Sequence, residues 1–249
     1  MTASLDLDSR IAELDVSLFD RIESQTTEDD RRSLLAIQQA VRSRGEYLYL
    51  EIGSHLGGTL QPYLVDPLCT KITSIDLRPQ IVDDVRGEKQ TYVDNSTERM
   101  LRLLSEISAD GVKKIATIDA SVQDIDPKVI EPKPTLCFID GEHTDRAVMA
   151  DFDFCVRVAA TGCSIVFHDS DLVYRGVRQI LRMLTERKVK YEAMKLGGSV
   201  FAIAFEDSPL KTDSGLRKIR RSVRYHFVRS AVRLRLKRYK LKRGNKPKT

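Results

Sequence analysis

The chain has 249 residues, 41% hydrophobic and 31% charged, with a formal net charge of +5. That length supports a full core, and the composition is ordinary for a soluble globular protein of one domain or one domain with an appendage. The charge is uneven: residues 216–249 hold 15 Lys and Arg and no Asp or Glu, so the first 215 residues carry 26 basic against 36 acidic side chains. An acidic body with a basic tail points to two tasks in two segments.

Residues 1–45 read as helical. Asp6 and Asp8 in the first ten positions exclude a secretory signal. Thr27 is placed to cap a helix whose apolar face is Leu34, Ile37 and Val41, closed by Gly45. Tyr47–Ile52 is a buried strand that breaks into Gly53-Ser54-His55-Leu56-Gly57-Gly58-Thr59 and then a helix. A second strand runs from Ile72 to Ile75 and ends at Asp76. Asn95 with Glu98 has the spacing of a capping box that opens a helix with Leu101, Leu104 and Ile107 inward.

Ile115–Ile118, Leu136–Ile139 and Cys163–Phe167 are three further strands, ending at Asp119, Asp140 and His168-Asp169. Helices between and after them show apolar residues at helical spacing: Val148, Phe152, Val156 and Ala159, then Val173, Val177, Ile180 and Leu184. Strands alternating with helices require right-handed crossovers and a parallel sheet. Tyr191–Leu196, Gly197-Gly198 and Ser199–Phe205 instead read as a hairpin. Residues 207–215, with Pro209, Asp213 and Ser214, read as a linker to the tail. The expected domains are a helical segment over 1–45, a sheet domain over 46–206, this linker, and the tail.

A strand ending in glycines lets the backbone approach a ligand closely while the next helix aims free N–H groups at it. An acid at the end of the second strand can accept hydrogen bonds from ribose hydroxyls. Glu51-Ile-Gly53-Ser54-x-x-Gly57-Gly58-Thr59 resembles motif I of class I S-adenosylmethionine-dependent methyltransferases, and the pattern is most similar to a bacterial O-methyltransferase branch acting on sugar and macrolide-sugar hydroxyls. His55 stands where the commoner motif has its second glycine, and the G-x-G-x-x-G dinucleotide fingerprint is absent. The resemblance covers about Tyr47–Phe205. It implies a doubly wound α/β fold with a mostly parallel seven-stranded sheet in the order 3-2-1-4-5-7-6. It also implies that Glu51, Gly53, Ser54 and Gly57 line the methionine part of S-adenosylmethionine, that Asp76 holds the ribose, and that Asp119 and Ser121 lie near the adenine.

All five parallel strands end at or beside an acid, Glu51, Asp76, Asp119, Asp140 and Asp169, and ligands of doubly wound sheets sit beyond those ends. A single such acid is as well explained by a helix cap or a turn; five beside a glycine loop point to a site. Asp140-Gly-Glu-His143 with His168-Asp169 is the expected chemical centre. The sugar O-methyltransferase branch has Asp-x-x-His after its fourth strand and an acidic-Asp pair after its fifth. By resemblance, Asp140 and Asp169 would hold a metal and His143 would act as base. His168 replaces the acidic partner; oxygen ligands suit Mg²⁺, and an imidazole neighbour tilts the site toward Mn²⁺ or no metal. A neutral hydroxyl is a poor nucleophile, and an imidazole with a pKa near neutrality can take its proton.

The four cysteines, Cys69, Cys137, Cys155 and Cys163, have neither metal-site nor disulfide-framework spacing, and reduced thiols in the cytoplasm are the expected reading. In the tail, Leu216, Ile219, Val223, Phe227, Ala231 and Leu234 form a stripe at helical spacing among arginines, while Val228, Val232, Leu236 and Tyr239 fall on another side. A basic amphipathic helix on an anionic membrane surface, at the inner membrane face, is favoured over nucleic-acid binding, because apolar residues interleave with the charges. No apolar run approaches the roughly 18 residues of a membrane span. The expected function is O-methylation of a sugar, glycoconjugate or small-molecule hydroxyl. The alternatives are an RNA methyltransferase that grips phosphates with its tail, and a non-catalytic cofactor-binding protein.

Overall fold

Two-residue alternation decides which side of the sheet each strand residue serves. In β1 (Tyr47–Ile52), Tyr47 and Tyr49 enter one core, while Leu50 and Ile52 enter the other. Phe138 against Cys137 and Ile139, and Val166 against Ile165 and Phe167, divide in the same way. Both faces are therefore covered, as a parallel sheet requires. The computed structural model describes residues 2–83 and 89–244.

Helices α1 (Thr2–Ala12), α2 (Glu28–Arg42), α3 (Gln61–Val65) and α4 (Thr97–Ser105) cover the face that carries the tyrosines. Tyr63 of α3 stacks on Tyr49 with ring centroids 3.9 Å apart. Helices α5 (Asp145–Val158) and α6 (Tyr174–Glu186) cover the opposite face. The remaining strands of the main sheet are β2 (Cys69–Ile75), β5 (Ile115–Ile118), β6 (Leu136–Ile139), β7 (Ser164–Phe167), β8 (Tyr191–Lys195) and β9 (Phe201–Phe205).

The spatial order is β5-β2-β1-β6-β7-β9-β8. Counted along the chain within this sheet, it is 3-2-1-4-5-7-6, as the resemblance implies. β9 pairs antiparallel with both β7 and β8, and the other pairings are parallel. The register aligns the carboxyl ends: the N–H groups of Gly53, Asp76, Asp140 and His168 donate to the last carbonyls of the neighbouring strands, Ile75, Ile118, Ile52 and Ile139. The loops after β1, β2, β6 and β7 consequently open on one edge.

Two local expectations change. A short antiparallel pair, β3 (Ile81–Asp83) with β4 (Lys89–Thr91), stands between β2 and α4. The cap of α4 is Ser96, not Asn95: the Ser96 hydroxyl accepts from Arg99 N–H at 3.2 Å, while the Asn95 amide turns back to the Pro79 carbonyl.

The expected linker and the segment that follows it dock on the body at several points. Ser208 and Leu210 are buried, and Leu216 of α7 (Ser214–Ile219) joins the core under α2. Helix α8 (Val223–Gly244) rests against α6 and β8, with Val223 and Phe227 on the second core and Leu234 buried. The stripe expected to face a membrane therefore meets the protein's own surface instead. Among the described residues, no helix is long and apolar enough to cross a membrane, and all four cysteines are buried free thiols.

Candidate active site

The loop after β1 is set by close approach. Gly53 has φ +88°, and a Cβ there would collide with the Asp140 carbonyl, so only glycine lets the first and fourth strand ends meet. Gly57, at φ +83°, lies against Leu104 of α4, and Gly58 lies against Ser24 of the segment that leads into α2. His55 holds φ +45°, the left-handed conformation that a glycine in its place would take freely. Its N–H donates to Asp76 Oδ2 at 2.8 Å, and Arg78 N–H donates to Asp76 Oδ1 at 2.8 Å. Asp76 thus ties the first two loops together; Arg78 Nη1 also lies 3.5 Å from Oδ2, and Oδ1 keeps a second lone pair.

Beyond these loops lies a cavity of about 460 Å³, within the size range of small-molecule sites. Gly53, Ser54, Asp76, Ser121, Asp140, His143 and Asp169 line it together. Three of the expected residues stand elsewhere. Glu51 lies beneath the glycine loop with no exposure, accepting from the Tyr49 hydroxyl at 2.5 Å and the Thr59 hydroxyl at 2.6 Å. Burial pushes its pKa up to about 8, against the pull of those two donors. Gly57 serves the packing against α4. Asp119 accepts from the Thr97 hydroxyl at 2.6 Å and faces Arg78, outside the cavity wall.

The strand ends of β6 and β7 bring the acids and histidines together. His143 Nε2 is 3.2 Å from Asp169 Oδ2 and 3.8 Å from Asp140 Oδ1. His168 Nδ1 bonds Asp140 Oδ1 at 2.9 Å. Burial lowers the affinity of His143 for a proton, but Asp140 and Asp169 outweigh it and hold the imidazole above its ordinary pKa. His168 follows the same balance more strongly: burial opposes its charge, and Asp140 with Asp30 overcomes it. Burial raises Asp140, yet the two imidazoles bring it below the ordinary carboxylate range. Asp169 stays above that range, because burial outweighs the same two rings.

Asp30, a residue the sequence alone does not single out, reaches this cluster. It is the third residue of α2 and forms a capping box with Thr27. Its Oδ2 lies 3.5 Å from His168 Nε2, and its Oδ1 accepts from the Ser199 N–H at 2.6 Å. The signal in the sequence was the Thr27-x-x-Asp30 spacing. Asp151 on α5 was also missed: it breaks an apolar helix face and lines the cavity.

The donor chemistry fits two groups. A glycine turn with Asp76 beside it and acids around the cavity suits an adenosyl ligand carrying positive charge. The Asp140, His143 and Asp169 ligand atoms lie within 4.8 Å of one another, a set of two carboxylates and an imidazole that suits a divalent cation.

Comparison with known proteins bears on the fold and the family. A family model described as "Methyltransferase domain" matches residues 32–170. The fold is similar to that of cofactor-bound Rv0187 from MTB, with a TM-score of 0.52 and 15% identity over 80% of this chain and 90% of that one. It is similar also to the O-methyltransferase TomG from Streptomyces achromogenes in complex with SAM, with a TM-score of 0.52 and 18% identity over 80% and 88% of the two chains. No curated protein matches the chain by sequence. With a seven-stranded sheet of this order, a glycine turn at its first strand end and a family match across more than half of its length, the chain belongs to the class I S-adenosylmethionine-dependent methyltransferases.

Proposed function

We propose that the protein methylates a hydroxyl oxygen of a sugar, glycoconjugate or other small molecule, with His143 as general base. The observation that carries this reading is an imidazole on the cavity wall, with Nε2 between the carboxylates of Asp140 and Asp169. S-adenosylmethionine, when bound, supplies a methyl group on a positively charged sulfur. The carboxylates hold the proton of neutral His143 on Nε2, which leaves Nδ1 to accept the proton of the acceptor hydroxyl as the new O–C bond forms. Once protonated, the imidazolium is stabilised by the same two acids. A divalent ion held by Asp140 and Asp169 would lower the pKa of the hydroxyl and orient it. Asp76 binds the ribose through the free lone pair of Oδ1, and Ser121 contributes a polar group on the adenine side. The TomG comparison is consistent with oxygen as the methylated atom, and the type of acceptor rests on the Asp-x-x-His pattern.

The test is methyl transfer from labelled S-adenosylmethionine to a panel of glycosides and simple alcohols, with cofactor affinity measured by calorimetry. His143→Ala is expected to lower turnover about 10²–10⁴-fold at nearly unchanged cofactor affinity. With no divalent ion on Asp140 and Asp169, the base works neutral and its pKa is raised, so the wild-type rate measured in chelator should fall as pH drops through a value above the ordinary histidine range. Wild-type turnover by His143→Ala on a true acceptor would overturn the assignment.

A further inference from the structure

Helix α8 has two apolar faces, and the fold uses only one. Val223, His226, Phe227, Ser230 and Leu234 turn inward, with His226 and Phe227 beside Phe201 of β9. On the opposite side Tyr225, Val228, Val232 and Leu236 are 63%, 58%, 53% and 57% exposed. Their spacing of three, four and four residues keeps them on one stripe. A helix packed on a protein body normally shows a polar outer face. Here the exposed residues beside the stripe are Arg224, Arg229 and Arg235, and residues 216–249 contain no acid.

We propose that the outward face of α8 docks on an anionic lipid bilayer, with Tyr225, Val228, Val232 and Leu236 entering the interface and the flanking arginines meeting lipid phosphates. An in-plane helix of this type combines apolar burial with attraction to anionic headgroups, and both components are present on one face. A second copy of the chain fits less well, because pairing two such faces would bring together like charges with no acid between them. A nucleic acid would engage the arginines but leave the valines and Leu236 without a partner. The docked helix would not hang free of the enzyme. Arg233 pairs with Asp171 at 3.2 Å, and Asp171 lies in the loop after β7 that carries Asp169. Docking would therefore hold the rim of the cavity next to the lipid headgroups.

The proposal is tested by flotation of the full chain with phosphatidylcholine vesicles, with and without phosphatidylglycerol. Wild type is expected to float with the anionic vesicles only. The triple variant Val228→Ser/Val232→Ser/Leu236→Ser should partition about tenfold or more weakly, since three apolar side chains no longer enter the interface. It should bind S-adenosylmethionine as wild type does, because those side chains lie outside both cores. Arg224→Gln/Arg235→Gln should lose most of the salt-sensitive part of the binding and keep the remainder. Wild type that floats no better with anionic than with neutral vesicles, or a triple variant that floats like wild type, overturns the proposal. RNA binding without flotation overturns it in favour of a nucleic-acid partner.

Discussion

Asp151 sits on the cavity wall, 7% exposed, with no hydrogen bond or ion pair among the described residues. Burial pushes its pKa up to about 7, and Glu142 adds to the rise. Between about pH 4 and pH 7 the folded chain then binds a proton at this carboxyl that the unfolded chain has released. Stability should fall as pH rises through that window and stay reduced above it. Asp151→Asn keeps the shape and removes the charge, so its stabilisation relative to wild type should be small near pH 5 and larger near pH 8, by on the order of 2–4 kcal/mol. Denaturation midpoints at the two pH values check this, and parallel pH dependences would refute it. His143 and His168 carry the opposite lesson: burial alone would keep both neutral, and it is the adjacent carboxylates that raise them.

At the scale of elements, the start of α2 is tied to the chemistry through Asp30. One carboxylate closes the capping box, accepts from Ser199 in the turn between β8 and β9, and faces His168. Removing it opens the capping box by taking away the acceptor of the Thr27 N–H, at about 0.5–1.5 kcal/mol. It also leaves the half-buried Ser199 N–H without its acceptor, at about 1–3 kcal/mol. Asp30→Ala should lower unfolding free energy by roughly 2–4 kcal/mol in urea titrations. Turnover should fall as well, because His168 loses one of the three acids, Asp30, Asp140 and Asp169, that keep it charged. Cofactor affinity should change little, since Gly53 and Asp76 are untouched. A variant with full turnover and reduced stability would confine Asp30 to a capping role.

At the scale of the whole molecule, the basic end of the chain is both a covering for the sheet edge and an exposed charged surface. The Arg221 N–H donates to the Lys195 carbonyl at 2.7 Å, which adds a bridge to β8, and Arg220 pairs with Glu192. Truncation after Gly215 would remove Leu216 and Leu234, both buried, and uncover Phe201. At about 1.5–3 kcal/mol for each buried leucine, the truncated chain should be about 3–6 kcal/mol less stable than the full one. Chemical denaturation of both forms measures the difference. Equal stability would mean that α7 and α8 dock without contributing to the fold.

The strands were legible because parallel strands buried in a core are continuous apolar runs, and each run here ends in an acid or a glycine turn, whereas their spatial order came from the methyltransferase resemblance. Asp140, His143 and Asp169 were legible for the same reason, since a residue placed just past a strand end has one destination in a doubly wound sheet. Periodicity also found both apolar stripes of α8, but it could not tell which one the protein covers. That choice depends on the edge offered by Phe201 and β8, far away in sequence. Asp30 was readable as a cap and not as a partner of His168, because local spacing records only neighbours along the chain. Local pattern states what an element is able to bury or bond; packing decides against which neighbour it does so.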